Sequence, residues 1–316
     1  MSFSQIELEE HCNQILKQRR IKNKIVVLCE GKIQDNQGTK SPQAYKRMEQ
    51  MPDANFYDAC VPLWWKDKPR PKFFNCGDRK DAIDTYSHLI KLPENESYLN
   101  KEKLFALVDL DIQLHKINDY HFSDTEQIFC NLYQSTQVIE EQATKHRIWT
   151  TGLIHKEAYF IAPEIQEVFD DPLLLLSPQF KNNPAQLKDI YLELAQNISN
   201  DNDLQNNFKR VIKRIEYCNN LDCSQINNLQ NTWNNQFNNC INTTNKERYR
   251  ELVFALLTIR KAKEYWKQIE PNNDWTRSPK IFREQLSLKI GRFYAEQECD
   301  CKNHIPYFFK TLYQFA

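Results

Sequence analysis

Leu104-Phe-Ala-Leu-Val108 is an unbroken apolar run, too short for a helix and without the alternation of a strand that is wet on one face. Such a run suits a strand buried on both sides, as in a parallel sheet covered by helices. Ile25-Val-Val-Leu-Cys29 repeats the pattern, and each run ends abruptly in acid: Glu30-Gly31 after the first, Asp109-Leu-Asp111 after the second. Between and around them the period changes to that of helices. The pattern predicts helices over 1–20, from Pro42 to Met48, over 81–92, and over 125–145 with Ser123 or Asp124 as N-cap. It predicts further strands within 56–65, over 72–76 and over 148–154. Beyond Pro163 the strand signals fade and helical patterns cover 185–198, 204–218, 246–269 and 279–295. The expected architecture is α/β: an N-terminal helix (1–21), a mostly parallel sheet flanked by helices (22–165), and an α-helical domain (166–316).

Charge and glycine content narrow the function. Lys plus Arg number 42 and Asp plus Glu 42, so the chain is not a globally basic nucleic-acid coat, although a local basic face stays open. Only 5 glycines occur, and neither G-x-G-x-x-G nor G-x-x-x-x-G-K-[ST] is present, which removes the main support for Rossmann and P-loop nucleotide sites. The first twenty residues are acidic at Glu7, Glu9 and Glu10 and hold no apolar h-region, and the longest purely aliphatic run is Leu173 to Leu176. With ten scattered cysteines that form no repeating framework, this predicts a cytoplasmic protein with free thiols and no membrane association. The Asn-rich stretch around 234–239 carries Trp233 and Phe237 four apart, as the buried face of an ordinary helix requires.

The acids fall where open α/β sheets bind their ligands, at carboxyl ends of strands. In an extended segment Asp109 and Asp111 would share a face about 7 Å apart, and Glu30 would join them if its strand lay alongside. Three such carboxylates repel one another unless a cation lies between them. Hard oxygen donors favour Mg²⁺ or Mn²⁺, which points to phosphoryl chemistry. Cys299-x-Cys301-x-x-His304 and Cys218-x4-Cys223 lack the spacing of a complete zinc site.

Ile25-Val-Val-Leu-Cys-Glu-Gly31 followed by Leu104-Phe-Ala-Leu-Val-Asp-Leu-Asp111 resembles the TOPRIM domain, shared by topoisomerases, bacterial primases and a group of nucleases. The resemblance covers about 22–165. It implies that Glu30, Asp109 and Asp111 are metal-site and catalytic residues. Without a recognisable nucleophilic-tyrosine domain or a primase zinc-binding N-terminus, the chain looks most like nucleases of the overcoming-lysogenisation-defect class and stand-alone TOPRIM proteins of anti-phage operons. In such proteins the stretches matching Tyr120–Ile128 and His155–Tyr159 carry further site residues, which implies Glu126 and Glu157 as auxiliary ligands and Lys156 as a stabiliser of transition-state charge. The separation of 79 positions between Glu30 and Asp109 exceeds that of compact TOPRIM domains and predicts an insertion around 60–75. There Trp64 and Trp65 stand among Lys66, Lys68, Arg70 and Lys72, aromatics beside cations, as a nucleic-acid-tracking loop needs.

Two functions are compatible with these residues. One is a Mg²⁺- or Mn²⁺-dependent nuclease acting on DNA or RNA, tRNA included, as an effector of anti-phage defence. The other is a non-catalytic interaction subunit that docks on an ATPase partner, since the chain has no ATPase motif of its own. In that second case the helical half would supply a partner surface or a homodimer interface. Basic clusters at Lys209, Arg210, Lys213 and Arg214, and at Arg260, Lys261 and Lys263, are candidate phosphate contacts or plain solvated faces.

Overall fold

The computed structural model describes residues 2–33, 51–93, 97–169, 173–175, 184–243, 245–271 and 275–316; the helix expected from Pro42 to Met48 lies outside them. Four parallel strands form the main sheet: β1 (Val26–Cys29), β2 (Lys72–Asn75), β3 (Leu104–Val108) and β6 (Ile148–Thr150), in the order β2-β1-β3-β6. Val27 pairs with both Phe73 and Phe105, and Ala106 with Ile148. Apart from half-buried Lys72 these strand residues are buried, which is why their sequences lack alternation. The chain moves outward from β1 to β2, then crosses back to β3 and on to β6. The direction of travel therefore reverses between β1 and β3, the crevice where open sheets bind ligands.

Helix α1 (Gln5–Leu16) starts at a Ser4–Glu7 capping box and packs on α3 (Arg79–Lys91), which has its own box of Asp78 and Asp81. Between them the predicted strand within 56–65 is instead α2 (Pro52–Ala59) and a loop. Pro52 in the first turn favours helix, and burial of Ala54, Phe56 and Tyr57 overrides the strand preference of the aromatics.

The predicted helix over 125–145 is also broken. Asp124 caps α4 (Thr125–Leu132), but Ser135 and Thr136 both adopt positive φ and turn the chain through a hairpin of β4 (Tyr133–Gln134) and β5 (Gln137–Val138). The Tyr133 hydroxyl donates to the Thr150 carbonyl at 2.9 Å, drawing the hairpin onto the end of β6. Two single-turn helices follow, α5 (Glu140–Ala143) and, after β6, α6 (Lys156–Tyr159).

The remainder is mostly helical: α7 (Leu187–Gln196), α8 (Asn202–Val211) running into a 3₁₀ turn (Ile212–Ile215), α9 (Ile226–Thr243), α10 (Lys246–Ile259), α11 (Lys263–Lys267), α12 (Pro279–Glu296) and α13 (His304–Tyr313). Three short antiparallel strands, β7 (Leu173–Leu175), β8 (Pro184–Ala185) and β9 (Ile269–Glu270), form a second sheet that the fading strand signal does not announce. Helix α9 is the Asn-rich stretch; its Trp233 and Phe237 stack 4.5 Å apart, and the Trp233 indole donates to the Leu252 carbonyl.

The hydrophobic core is continuous between the two halves. Helix α13 lies on the main sheet, with Phe308 against Trp149 and Phe309 against Phe73, and Phe315 beyond it touches Phe105. Among the described residues no helix is long and apolar enough to cross a membrane.

Candidate functional site

Because Cys29 pairs with Leu107, the residues just past β1 and β3 emerge side by side at the reversal point. The Asp109 N–H donates to Glu30 Oε1 at 2.8 Å, and the Lys156 N–H, at the start of α6, donates to Asp109 Oδ1 at 2.9 Å. Three strand ends are thus joined through two carboxylates. Burial pushes Glu30 up to about 7, opposed by the Asp109 N–H and by Arg79. Burial also carries Asp109 well above the usual carboxylate range, with the charges of Glu30 and Glu157 adding to it. Among the described residues no Lys or Arg forms an ion pair with either group.

Cations do reach the surrounding acids. The Lys156 ammonium pairs with Asp53 at the start of α2 and lies 3.8 Å from Glu157. Lys263 Nζ approaches Glu157 at 3.9 Å, and His155 Nδ1 lies 3.4 Å from the same carboxylate. Burial acts to raise Glu157, but Lys156, His155 and Lys263 outweigh it and hold the group at about 2. His155 Nε2 accepts from the Ala262 N–H, and its own pKa is pushed down to about 4 by burial.

Gly31 has no room for a side chain, since a Cβ would stand 2.5 Å from both Asn75 Cγ and Asp53 Oδ2. Asn75 accepts from the Ala54 N–H and donates to the Lys32 carbonyl, so the end of β2 holds α2, and with it Asp53, against the site.

The extended geometry expected for Asp109–Asp111 does not hold. β3 stops at Val108 and Asp111 has a φ of +50°, so its carboxylate turns aside to the Ile112 N–H and to Lys261 at 3.4 Å. Arginines hold the chain in this shape. Arg79 donates to the carbonyls of Leu110 and Gln113, Arg214 to that of Asp111, and Arg210 to that of Ile112. Glu126 is the counter-ion of this clamp, paired with Arg210 at 2.9 Å and Arg214 at 2.6 Å, which is a structural place rather than an ion ligand's.

The loop over 60–75 sits at the other rim. Lys72 opens β2 level with Val26, the length of β1 from Glu30, about 13 Å at ~3.3 Å per residue. Lys68 donates to the Tyr313 carbonyl, Arg70 to that of Asp58, and Trp64 and Trp65 pack on Tyr313; exposed Lys66 belongs to the same loop. These cations therefore do not share a surface with the acids. The cations that do, Lys261 and Lys263, come from the break between α10 and α11, where a continuous helix was expected. Asp53 and this break are tertiary features; the only advance signal was the basic Arg260–Lys263 cluster. Nor does the Cys299–His304 stretch form a cluster: Cys299 accepts from Trp64, Cys301 meets Gln137, and the His304 ring bonds Tyr159 and Thr136.

Comparison of the chain with known protein families, with curated proteins and with solved structures finds no match. Among the described residues no three or more His, Cys, Asp or Glu side chains are grouped so as to hold an ion between them. What the reversal point does present, among the described residues, is two adjacent carboxylates without a directly paired cation, beside acids that have one. That donor set fits Mg²⁺ or Mn²⁺, which typically takes only one or two protein carboxylates and completes its shell with water and phosphate oxygens.

Proposed function

We propose that the chain is a metal-dependent nuclease, hydrolysing phosphodiesters in DNA or RNA as an effector of anti-phage defence, in the manner of the TOPRIM nucleases it resembles. The observation that carries this reading is the meeting of Glu30 and Asp109, neither of them in a direct ion pair among the described residues, at the crevice between β1 and β3. Glu30 and Asp109 would hold Mg²⁺ or Mn²⁺, with Asp111 and Glu157 at its flanks. When bound, such an ion lowers the pKa of a coordinated water and polarises the phosphate. Lys156 orients Asp109 through its backbone N–H, while its ammonium stays with Asp53. Lys263 and Lys261, both partly exposed beside the acids, supply positive charge to the incoming phosphate.

The second reading, an interaction subunit that docks on an ATPase, draws on exposed Leu63 and Trp64 at the rim away from the acids. The two are separated by incubating the protein with plasmid, single-stranded DNA and tRNA in Mg²⁺ or Mn²⁺, beside Glu30→Ala. Cleavage that disappears in the variant supports the nuclease; cleavage that survives it refutes the site. No cleavage by either protein favours docking or a requirement for an activator.

A further inference from the structure

The amino edge of the main sheet is the electrostatic opposite of the edge that carries Glu30 and Asp109. A 3₁₀ turn (Lys101–Lys103) leads straight into β3, Lys22 and Lys24 precede β1, and Lys145 and Arg147 precede β6. Val26 is level with Leu104 and Ala106 with Ile148, so these three starts lie on neighbouring strands ~4.8 Å apart. Lys22, Lys24, Lys101, Lys103, Lys145 and Arg147 are each at least partly exposed, and none forms an ion pair among the described residues. The Arg147 guanidinium lies 4.1 Å from the centre of the Phe315 ring and donates to the Thr144 carbonyl, which orders it without neutralising it. Among the described residues the exposed acids alongside are Glu102 and Glu141, while Asp119 and Glu140 are already paired with Lys91 and Lys310. At the adjoining start of β2, Lys68 and Arg70 are committed to carbonyls, so the uncommitted charge centres on β1, β3 and β6. Tyr98, 40% exposed, joins this edge, its N–H donating to the Leu16 carbonyl at the end of α1.

We propose that this edge binds single-stranded nucleic acid, its phosphates along these cations and a base on the ring of Tyr98. Unpaired cations in a row attract a polyanion, and an aromatic ring exposed among them is a platform for an unpaired base. A duplex would use the charge but not the ring, because its bases are already stacked on one another. The choice of nucleic acid among polyanions rests on the nuclease reading, whose substrate class it narrows. The length of β1, about 13 Å at ~3.3 Å per residue, separates this edge from Glu30, so the strand is gripped away from the bond to be cleaved.

Binding by the full chain is read in EDTA, by fluorescence anisotropy of a labelled mixed-sequence RNA strand, its DNA counterpart and the matching duplex. Polyglutamate and phosphatidylserine vesicles serve as competitors. With no divalent ion present, a failed cleavage assay would leave this result standing, and failed binding would leave the metal site standing. The expected result is binding of a single strand at least five-fold tighter than of duplex, weakening with salt at a log–log slope of about −2 to −4, as about three to six phosphate contacts require. Lys24→Glu and Lys103→Glu should each weaken binding at least five-fold and flatten that slope. Tyr98→Ala should weaken it about five-fold with the slope unchanged. Lys280→Glu, the same change of charge on exposed α12, should keep full affinity. No binding of either strand at low salt, or duplex bound as tightly as single strand, would overturn the proposal. So would displacement by polyglutamate or vesicles as readily as by unlabelled strand, full affinity in all three edge variants, or an equal loss in Lys280→Glu.

Discussion

Gly152 shows how narrowly single residues hold the loop that leads to Lys156. The Tyr159 hydroxyl accepts from the Gly152 N–H at 2.9 Å and meets His304 Nδ1 at 3.0 Å, so α13 is tied directly to the β6–α6 connection. A Cβ at Gly152 would stand 2.3 Å from His304 Nδ1 and 2.8 Å from the Tyr133 ring. Gly152→Ala should therefore destabilise the chain by roughly 1–3 kcal/mol, the usual cost of overpacking, read as a lower urea midpoint; an unchanged midpoint would mean the ring moves freely. Residues of the site were legible to the extent that they follow buried strands directly. Glu30 and Asp109 are of that kind. Asp111 was misplaced because nothing local announces a left-handed residue there, and Asp53 was missed because only the Asn75 contact brings α2 to the acids.

At the scale of elements, the arginine clamp joins α3, α4 and the α8 region to the segment after β3. Arg214, with a side chain 1% exposed, shares Glu126 with Arg210 and supports the carbonyl of Asp111. Glu126→Gln leaves those guanidinium groups without a counter-charge, and removing one partner of a buried pair typically costs about 3–5 kcal/mol. The expected outcome is a loss of that order in denaturant unfolding with divalent-ion uptake retained; lost uptake with unchanged stability would restore Glu126 as a ligand. Of the four main strands, β1 and β3 were plainest in the sequence because burial on both faces writes itself as continuous apolar runs, while β2 and β6 show only short aromatic and β-branched stretches. The hairpin after α4 could not: its turn uses Ser135 and Thr136 at positive φ, without the glycine or asparagine that usually marks such a turn. The same holds for the break at Arg260–Ala262, where docking of the Ala262 N–H on His155 stops a helix that local propensity would continue.

For the whole molecule, a continuous core makes stability a shared property of both halves, and buried histidines and carboxylates contribute to its pH dependence with opposite signs. His146 and His304 are both pushed down to about 4 by burial, from an unfolded value near 6.5. Between those values each ring binds more protons unfolded than folded, so its contribution to stability rises with pH across this window and is lost as pH falls through it. At about 1.4 kcal/mol per pKa unit, each ring should by itself lower unfolding free energy by roughly 2 kcal/mol from pH 7 to pH 5, while Glu30, pushed up to about 7, acts in the opposite sense over the same range. Urea midpoints at pH 7 and pH 5 for the chain beside His146→Gln isolate one ring: the acid-side loss should shrink in the variant by about that amount, and an equal pH dependence in both would show that the ring is not neutral and enclosed. The sequence reading places a helical domain from about residue 166, and Phe308 and Phe309 of its α13 close a face of the sheet, a long-range pairing that no local pattern encodes. The central claim is that this one core brings Glu30 and Asp109 together to hold a divalent ion. Titration with Mn²⁺, with the free ion followed by electron paramagnetic resonance, measures it directly. The account predicts saturable uptake by the intact chain that is abolished by Glu30→Gln and by Asp109→Asn but retained in Lys66→Ala; no uptake by the intact chain, or full uptake by both acid variants, would contradict it.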